Sequence, residues 1–296
     1  CSHQIFVIVS GFGSSEDIHW LRSGTTPWEV VVKKWADTSE LRTSTLQSAT
    51  SQVDLNQYLN LFPVLKLPLG YELLLLDFDQ LYPGKEIFFF FTSIVIHAET
   101  LITYGREKLM SSKVPEVKKG LSLNLSLFES QADSLNSNVT SVTALALLPY
   151  LMNVSSSALK SRKVPKYSRS DIRDSFITII GTDSEIATTI TNRKEVYKSR
   201  GGGNTLQPYI ICVGPNILEV SKSVIVCNDI QYEQPDVIKA VDRLFKIFHA
   251  THTSYPAESY DIWLFIQKAF FKINTKYDQV GGALSLLLQQ VGADIR

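Results

Sequence analysis

Two histidines, His249 and His252, lie three residues apart in the stretch FKIFHATHTSYPAES. On a helix, residues i and i+3 share a face, so both imidazoles could approach one ligand. Zinc would need one or two further donors, and Glu258 or Asp261 in the following segment could supply them. The stretch lacks the H-E-x-x-H pattern of a metalloprotease helix. The same spacing has a second reading. A histidine in the last turn of a helix interacts favourably with the negative end of the helix dipole. On that reading the pair marks where a helix ends, and neither a metal nor another cofactor is implied.

Other residue groups invite chemistry less strongly. Asp77 and Asp79 in DFDQLY could hold Mg²⁺ or act as acid and base, but residues i and i+2 do not share a helix face, so a solvated helix end is expected. IFVIVSGFGSS has the order strand, Gly-rich turn, helix, yet it lacks the third glycine of a dinucleotide fingerprint. SRGGGNT could wrap a phosphate, but a strand and not a helix N-terminus is expected after it. The sequence holds neither G-K-[ST] nor a G-x-S-x-G elbow. Cys212 and Cys227 fall in neighbouring apolar runs and could meet. Three cysteines in all, with no C-x-x-C, make no disulfide framework and fit a reducing compartment, cytoplasmic or nuclear.

The longest basic stretch is another matter. Between residues 160 and 200 stand Lys160, Arg162, Lys163, Lys166, Arg169, Arg173, Arg193, Lys194, Lys198 and Arg200. Gathered on one side, they could neutralise several phosphates of a nucleic acid, with binding that falls steeply with salt. KSRKVPKYSR also has the look of a nuclear-import patch. The alternative is a basic linker bathed in solvent.

These residues must be positioned by secondary structure. TTPWEVVVKKW predicts a helix, with Thr26 as cap, Pro27 at its first position and Trp28, Val31, Val32 and Trp35 on one face. Further helices are predicted from Asp54 to Pro63, from LPLGYELLLL to Pro83-Gly84, from about Lys85 to Met110, and over SNVTSVTALALLPYLM. SSKVPEVKKG reads as a link, and NVSSSALKSRKVPKYSRS as a linker. SDIRDSFITII reads as helical or mixed. TDSEIATTITNRKEVYKSRGGG opens on a capping box, Thr182 to Glu185, and closes on glycines. LQPYIICVG, SKSVIVCND and DIQYE are short, β-branched and bounded by turn residues, the pattern of an antiparallel meander. Two helices joined at Pro256 follow, with Val237, Val241, Leu244, Phe245 and Phe248 inward on the first and Ile262, Phe265, Ile266, Ala269, Phe270 and Ile273 on the second. The expected class is α+β, predominantly α-helical. A helical subdomain covers 1–155, a basic linker with helices covers 156–205, and a β-meander packed on a helical hairpin covers 206–296; residues 155–296 can also form one unit.

The segments TLQPYIICVG, SVIVCNDIQYEQPDVIKAVDRLFKIFHATHTSYPAES and IWLFIQKAFFKINTKYD resemble the C-terminal region of a large multi-copy group of animal proteins, frequent in insects, cnidarians and fish. FPVLKLPLGYELLLLDFDQLYP and ALALLPYLM fit that group's order of segments, so the resemblance runs from about Trp28 onward. It implies spread with mobile elements and a larger protein bearing sterile-alpha-motif or zinc-finger modules. It carries over no catalytic residue. The chain begins with Cys, which reads as a fragment of something longer.

Composition bounds the function. Hydrophobic residues make up 44% and charged residues 20%, a folding composition. Lys plus Arg and Asp plus Glu number 29 each, and this balance argues against a general nucleic-acid or membrane-surface binder. The run IFFFFTSIVI covers only about half of a bilayer core and is expected as a buried helix. Sequons at Asn124, Asn138 and Asn153 are read as silent. With 15 Phe, 12 Tyr and 4 Trp, and no polar constellation assembled along the sequence, the expected function is a non-enzymatic protein-interaction or scaffold domain. The alternatives are a nucleic-acid-associated protein using the basic stretch and an enzyme with a site drawn from distant segments, His249, His252 and Glu258 among them.

Overall fold

The structure, a computed structural model, describes residues 14–47, 54–85, 87–131, 136–152, 167–202 and 205–294. The strand and glycines expected before residue 14 lie outside them, as do Lys160, Arg162, Lys163, Lys166 and most of the expected linker.

The N-terminal half is helical. In chain order it contains α1 (Ser15–Leu21), α2 (Trp28–Asp37), α3 (Ser39–Gln47), α4 (Leu55–Leu61), a 3₁₀ turn (Pro63–Lys66), α5 (Gly70–Leu81), α6 (Ile87–Ser111), α7 (Pro115–Ser130) and α8 (Ser137–Leu151). The capping logic explains several starts. Asp54 accepts from the Gln57 N–H at 2.8 Å and opens α4. Asn136 accepts from the Asn138 and Val139 N–H groups and opens α8. Pro115 does not continue a link, as expected from sequence, but begins α7, where its missing N–H costs nothing. Helices α6, α7 and α8 pack together, and Gly120 lets α7 approach the Tyr150 ring of α8: a Cβ there would lie 2.1 Å from Tyr150 Cε1.

The C-terminal half carries α9 (Arg169–Phe176), β1 (Ile177–Ile180), α10 (Ile186–Ser199), β2 (Tyr209–Val213), β3 (Lys222–Cys227), β4 (Ile230–Gln234), α11 (Val237–Ala250), α12 (Tyr260–Phe265) with a π-turn (Ile266–Phe270), and α13 (Gly282–Gln290). The expected meander is β2–β3–β4, antiparallel throughout. It is extended by β1, which pairs parallel with β2 to give a mixed sheet of order β1-β2-β3-β4. The second helix of the expected hairpin ends earlier than the sequence implies, and α13 follows it.

Alternation along the strands sorts the sheet's two faces. Ile210, Cys212, Ile225, Cys227 and Tyr232 join the main core beneath α11. Tyr209, Ile211, Val213, Val224 and Val226 join a smaller core with Ile186 and Ile190 of α10. Both faces are covered, which is why β2 is buried at every position. One main core gathers buried residues from Leu21 to Met152 and from Ile172 to Val291, so the described parts of the two expected subdomains share it. At its centre α5 lies along α11, with Phe78 edge-on to Phe245 and Phe245 stacked on Phe271 at 3.9 Å.

Asp77 departs from expectation. It is not a solvated helix end but is 4% exposed inside this core. The Arg42 guanidinium and the Trp35 Nε1–H donate to its carboxylate, the latter at 3.1 Å. Arg42 also lies over the Trp35 ring at 3.8 Å and donates to the Trp35 carbonyl. A buried carboxylate needs such partners.

Candidate functional site

The amphipathic α11 places His249 in its last turn. The helix starts at Asp236, whose side chain accepts the Lys239 N–H at 2.7 Å. It stops in a Schellman arrangement: the Thr253 N–H reaches the Phe248 carbonyl at 2.9 Å and the His252 N–H reaches the His249 carbonyl at 3.2 Å. His252 occupies the left-handed position usually filled by glycine, with φ of 50°. The two histidines therefore no longer share one helical face. His249 turns inward between aromatic rings, and His252 is exposed.

His249 is held at both ring nitrogens. Nδ1 lies 3.0 Å from the Tyr82 hydroxyl and Nε2 lies 2.7 Å from the Tyr255 hydroxyl. The tautomer follows from the next links. The Gln267 Nε2 amide donates to the Asp278 carboxylate at 2.9 and 3.0 Å and to the Ile273 carbonyl at 3.2 Å. That orientation leaves Gln267 Oε1 to accept the Tyr255 O–H at 2.9 Å. Tyr255 must then accept from His249 Nε2–H, and Nδ1 must accept from Tyr82 O–H. Asp278 is further bound by Thr275, whose Oγ1 donates at 2.6 Å, and by the Lys268 ammonium at 3.3 Å. The chain Tyr82–His249–Tyr255–Gln267–Asp278 thus ties the end of α5, the end of α11, the π-turn and the following loop.

Burial holds the His249 imidazole well below its ordinary range, down to about 4; nearby His252 adds to this and Asp278 opposes it. A neutral ring with both nitrogens committed has no lone pair to give a metal. Among the described residues, no three His, Cys, Asp or Glu side chains converge on a metal-sized site. Glu258 lies elsewhere, within electrostatic reach of Arg193, Arg200 and Tyr167. Cys212 and Cys227 are free and buried, and burial pushes the Cys212 thiol up to about 12. Register separates them, since Cys212 pairs with Ser223 and Cys227 with Ile230.

The described part of the basic stretch has internal partners. Arg169 donates to the Pro149 and Met152 carbonyls at 2.9 and 2.6 Å, closing the end of α8. Arg173 forks onto Asp174, and Arg200 pairs with Asp171 at 2.9 Å. Lys194 pairs with Asp229. Arg193 donates to the Asp174 carbonyl at 2.7 Å and lies over the Tyr209 ring at 3.9 Å. Lys198 is exposed. Five of these six cations are therefore engaged within the fold.

The apolar run on α6 is not wholly buried. Phe90 and Ile94 enter the core, but Val95 and Ile96 are 48% and 65% exposed, and Met110 at the far end is 82% exposed. No helix among the described residues is long and apolar enough to cross a membrane. Tyr82, Tyr255, Gln267 and Asp278 escaped the sequence reading because no short spacing links them to His249. Comparison with protein-family models, with curated proteins and with solved structures finds no match for this chain.

Proposed function

We propose that this chain is a protein-interaction or scaffold domain of an intracellular protein, acting through its surface and not through bond chemistry. The observation that supports it is the outward stripe of α6, where Val95, Ile96 and Met110 stand exposed. Isolated apolar residues on a surface are ordinary, but the adjacent Val95 and Ile96, with Met110 on the same face of the helix, give a partner apolar points to seat on. The side chains best suited to catalysis, His249 and the two thiols, are committed to the interior and leave the surface to recognition.

The test is capture of partners from the native cell with the tagged chain, with and without nuclease, beside an Ile96→Asp variant. Partners are expected to survive nuclease and to be lost with the variant. Loss of every partner on nuclease treatment would instead favour a nucleic-acid role for the stretch from Lys160 to Arg200. Retention by the variant would remove α6 from the reading.

A further inference from the structure

We infer that the outer face of α6 pairs with the same face of a second copy of this chain, the two helices running antiparallel about a twofold axis. This deepens the interaction reading and rests on it, because it names one partner for the same surface.

The argument comes from the order of side chains along the face. Helix α6 has 25 residues. Val95, Ile96, Glu99, Thr103, Arg106 and Met110 are all exposed, and at about 100° per residue they fall on one side of the cylinder. Read forward, the face runs apolar, acidic, small, basic, apolar. Read backward, it runs apolar, basic, small, acidic, apolar. An antiparallel copy therefore sets acid against base and apolar against apolar.

The spacings agree with one axis. Glu99 and Arg106 are about 10 Å apart along the helix, and Val95 and Met110 about 22 Å. Both pairs share one midpoint, between Ile102 and Thr103. A single twofold axis there brings Glu99 to the partner's Arg106 twice, and Val95 to the partner's Met110 twice, as an isologous contact requires. Thr103 sits at the axis, where a small side chain lets the helices approach to 8–10 Å, the usual packing distance. A parallel pair would set Glu99 against Glu99 and Arg106 against Arg106. Arg106 has two contacts with α7: Glu129 at 3.6 Å, between side chains half or more exposed, and the Phe128 ring, whose centroid lies 6.0 Å from the guanidinium. A pair so exposed contributes little and yields to a better partner.

Sedimentation velocity of the full chain over about 5–200 µM tests this. The mass is expected to rise with concentration from 33.2 kDa toward twice that value. Glu99→Arg and Arg106→Glu should each weaken self-association about tenfold, since each places like charges across the axis. Mixing the two variants should restore association, because the mixed pair again matches every acid with a base. Far-ultraviolet circular dichroism should keep its helical signal in both variants, since both side chains are exposed, while the melting temperature at high protein concentration should fall with the loss of association. A monomer at the highest concentration overturns the inference, as does a dimer indifferent to either charge swap or a mixture no stronger than its components. A monomeric chain that still captures other proteins from the cell would leave the interaction reading standing and this pairing refuted.

Discussion

Acid should unfold this protein in part through one imidazole. His249 is neutral in the fold, with Nδ1 accepting from Tyr82 and Nε2 donating to Tyr255. Its folded value is about 4, against an ordinary 6.5. Between those values the unfolded chain binds a proton that the folded chain refuses, so stability falls as pH falls. The slope is about 1.4 kcal/mol per pH unit, and the full loss below pH 4 approaches about 3 kcal/mol. That is a large share of the ~5–15 kcal/mol that holds a domain together. Carboxylates also titrate in this range, so the measurement must isolate the ring. His249→Gln keeps a donor and an acceptor between the two phenols but cannot charge. Urea unfolding of both proteins at pH 7.5, 6.5, 5.5 and 4.5 gives the comparison. The variant should be less stable at pH 7.5 by about 1–2 kcal/mol, the cost of imperfect hydrogen bonds. The gap should close steadily below pH 6.5 and vanish or invert near pH 4.5. Stability curves that run parallel across this range would show that His249 is protonated as readily folded as unfolded, and the burial argument would fail.

Asp77→Ala strands the Arg42 guanidinium in the core and should cost about 3–5 kcal/mol in urea unfolding. Lys246→Met leaves Asp242 without its ion-pair partner 3.1 Å away. Burial already raises the Asp242 carboxyl to about 6, so this group's contribution is present at low pH and lost as pH rises through 6. The variant's deficit should reach about 3 kcal/mol at pH 8 and shrink at pH 5; an equal deficit at both would contradict it. His252→Gly removes a left-handed strain at the end of α11 and should raise stability by about 0.5–1 kcal/mol despite glycine's extra freedom in the unfolded chain, read as a higher melting temperature.

What sequence reasoning reached, and what it missed, divides by distance along the chain. The face of α2 bearing Val31 and Trp35, the start of α4 at Asp54, the end of α10 at the glycines and the three strands of the meander all rest on residues within about one or two turns of each other. β1 was missed because four residues are too few to show alternation, and its partner β2 lies some thirty residues on. SSKVPEVKKG reads as a link because one proline signals either a stop or a first turn, and Pro115 is the latter. Asp77 looked solvated because its cation, Arg42, is 35 positions away in sequence. Of the two readings of the histidine pair, the helix end fits the structure and the shared face does not. The i, i+3 rule holds only while the helix continues, and it ends at Thr251, between the two rings.

These long-range polar contacts gather on α5. Its Asp77 meets Arg42 and Trp35, its Phe78 lies 5.6 Å from the Lys246 ammonium, and Tyr82 at its end binds His249. The apolar residues of the same helix, Leu73, Leu74 and Phe78, supply burial, about 1.5–3 kcal/mol each, but burial is not directional. An α5 held by leucines alone could slide or turn against α11 at small cost. A carboxylate that must reach Arg42, and a phenol that must reach His249, permit one register. Desolvation largely offsets the attraction of buried charges, so their effect here is on register more than on stability. A matched apolar replacement, Asp77→Leu with Arg42→Met, should therefore recover much of what Asp77→Ala loses. Its mark should be broadened near-ultraviolet circular dichroism around Trp35, the sign of a core that has kept its volume and lost its register.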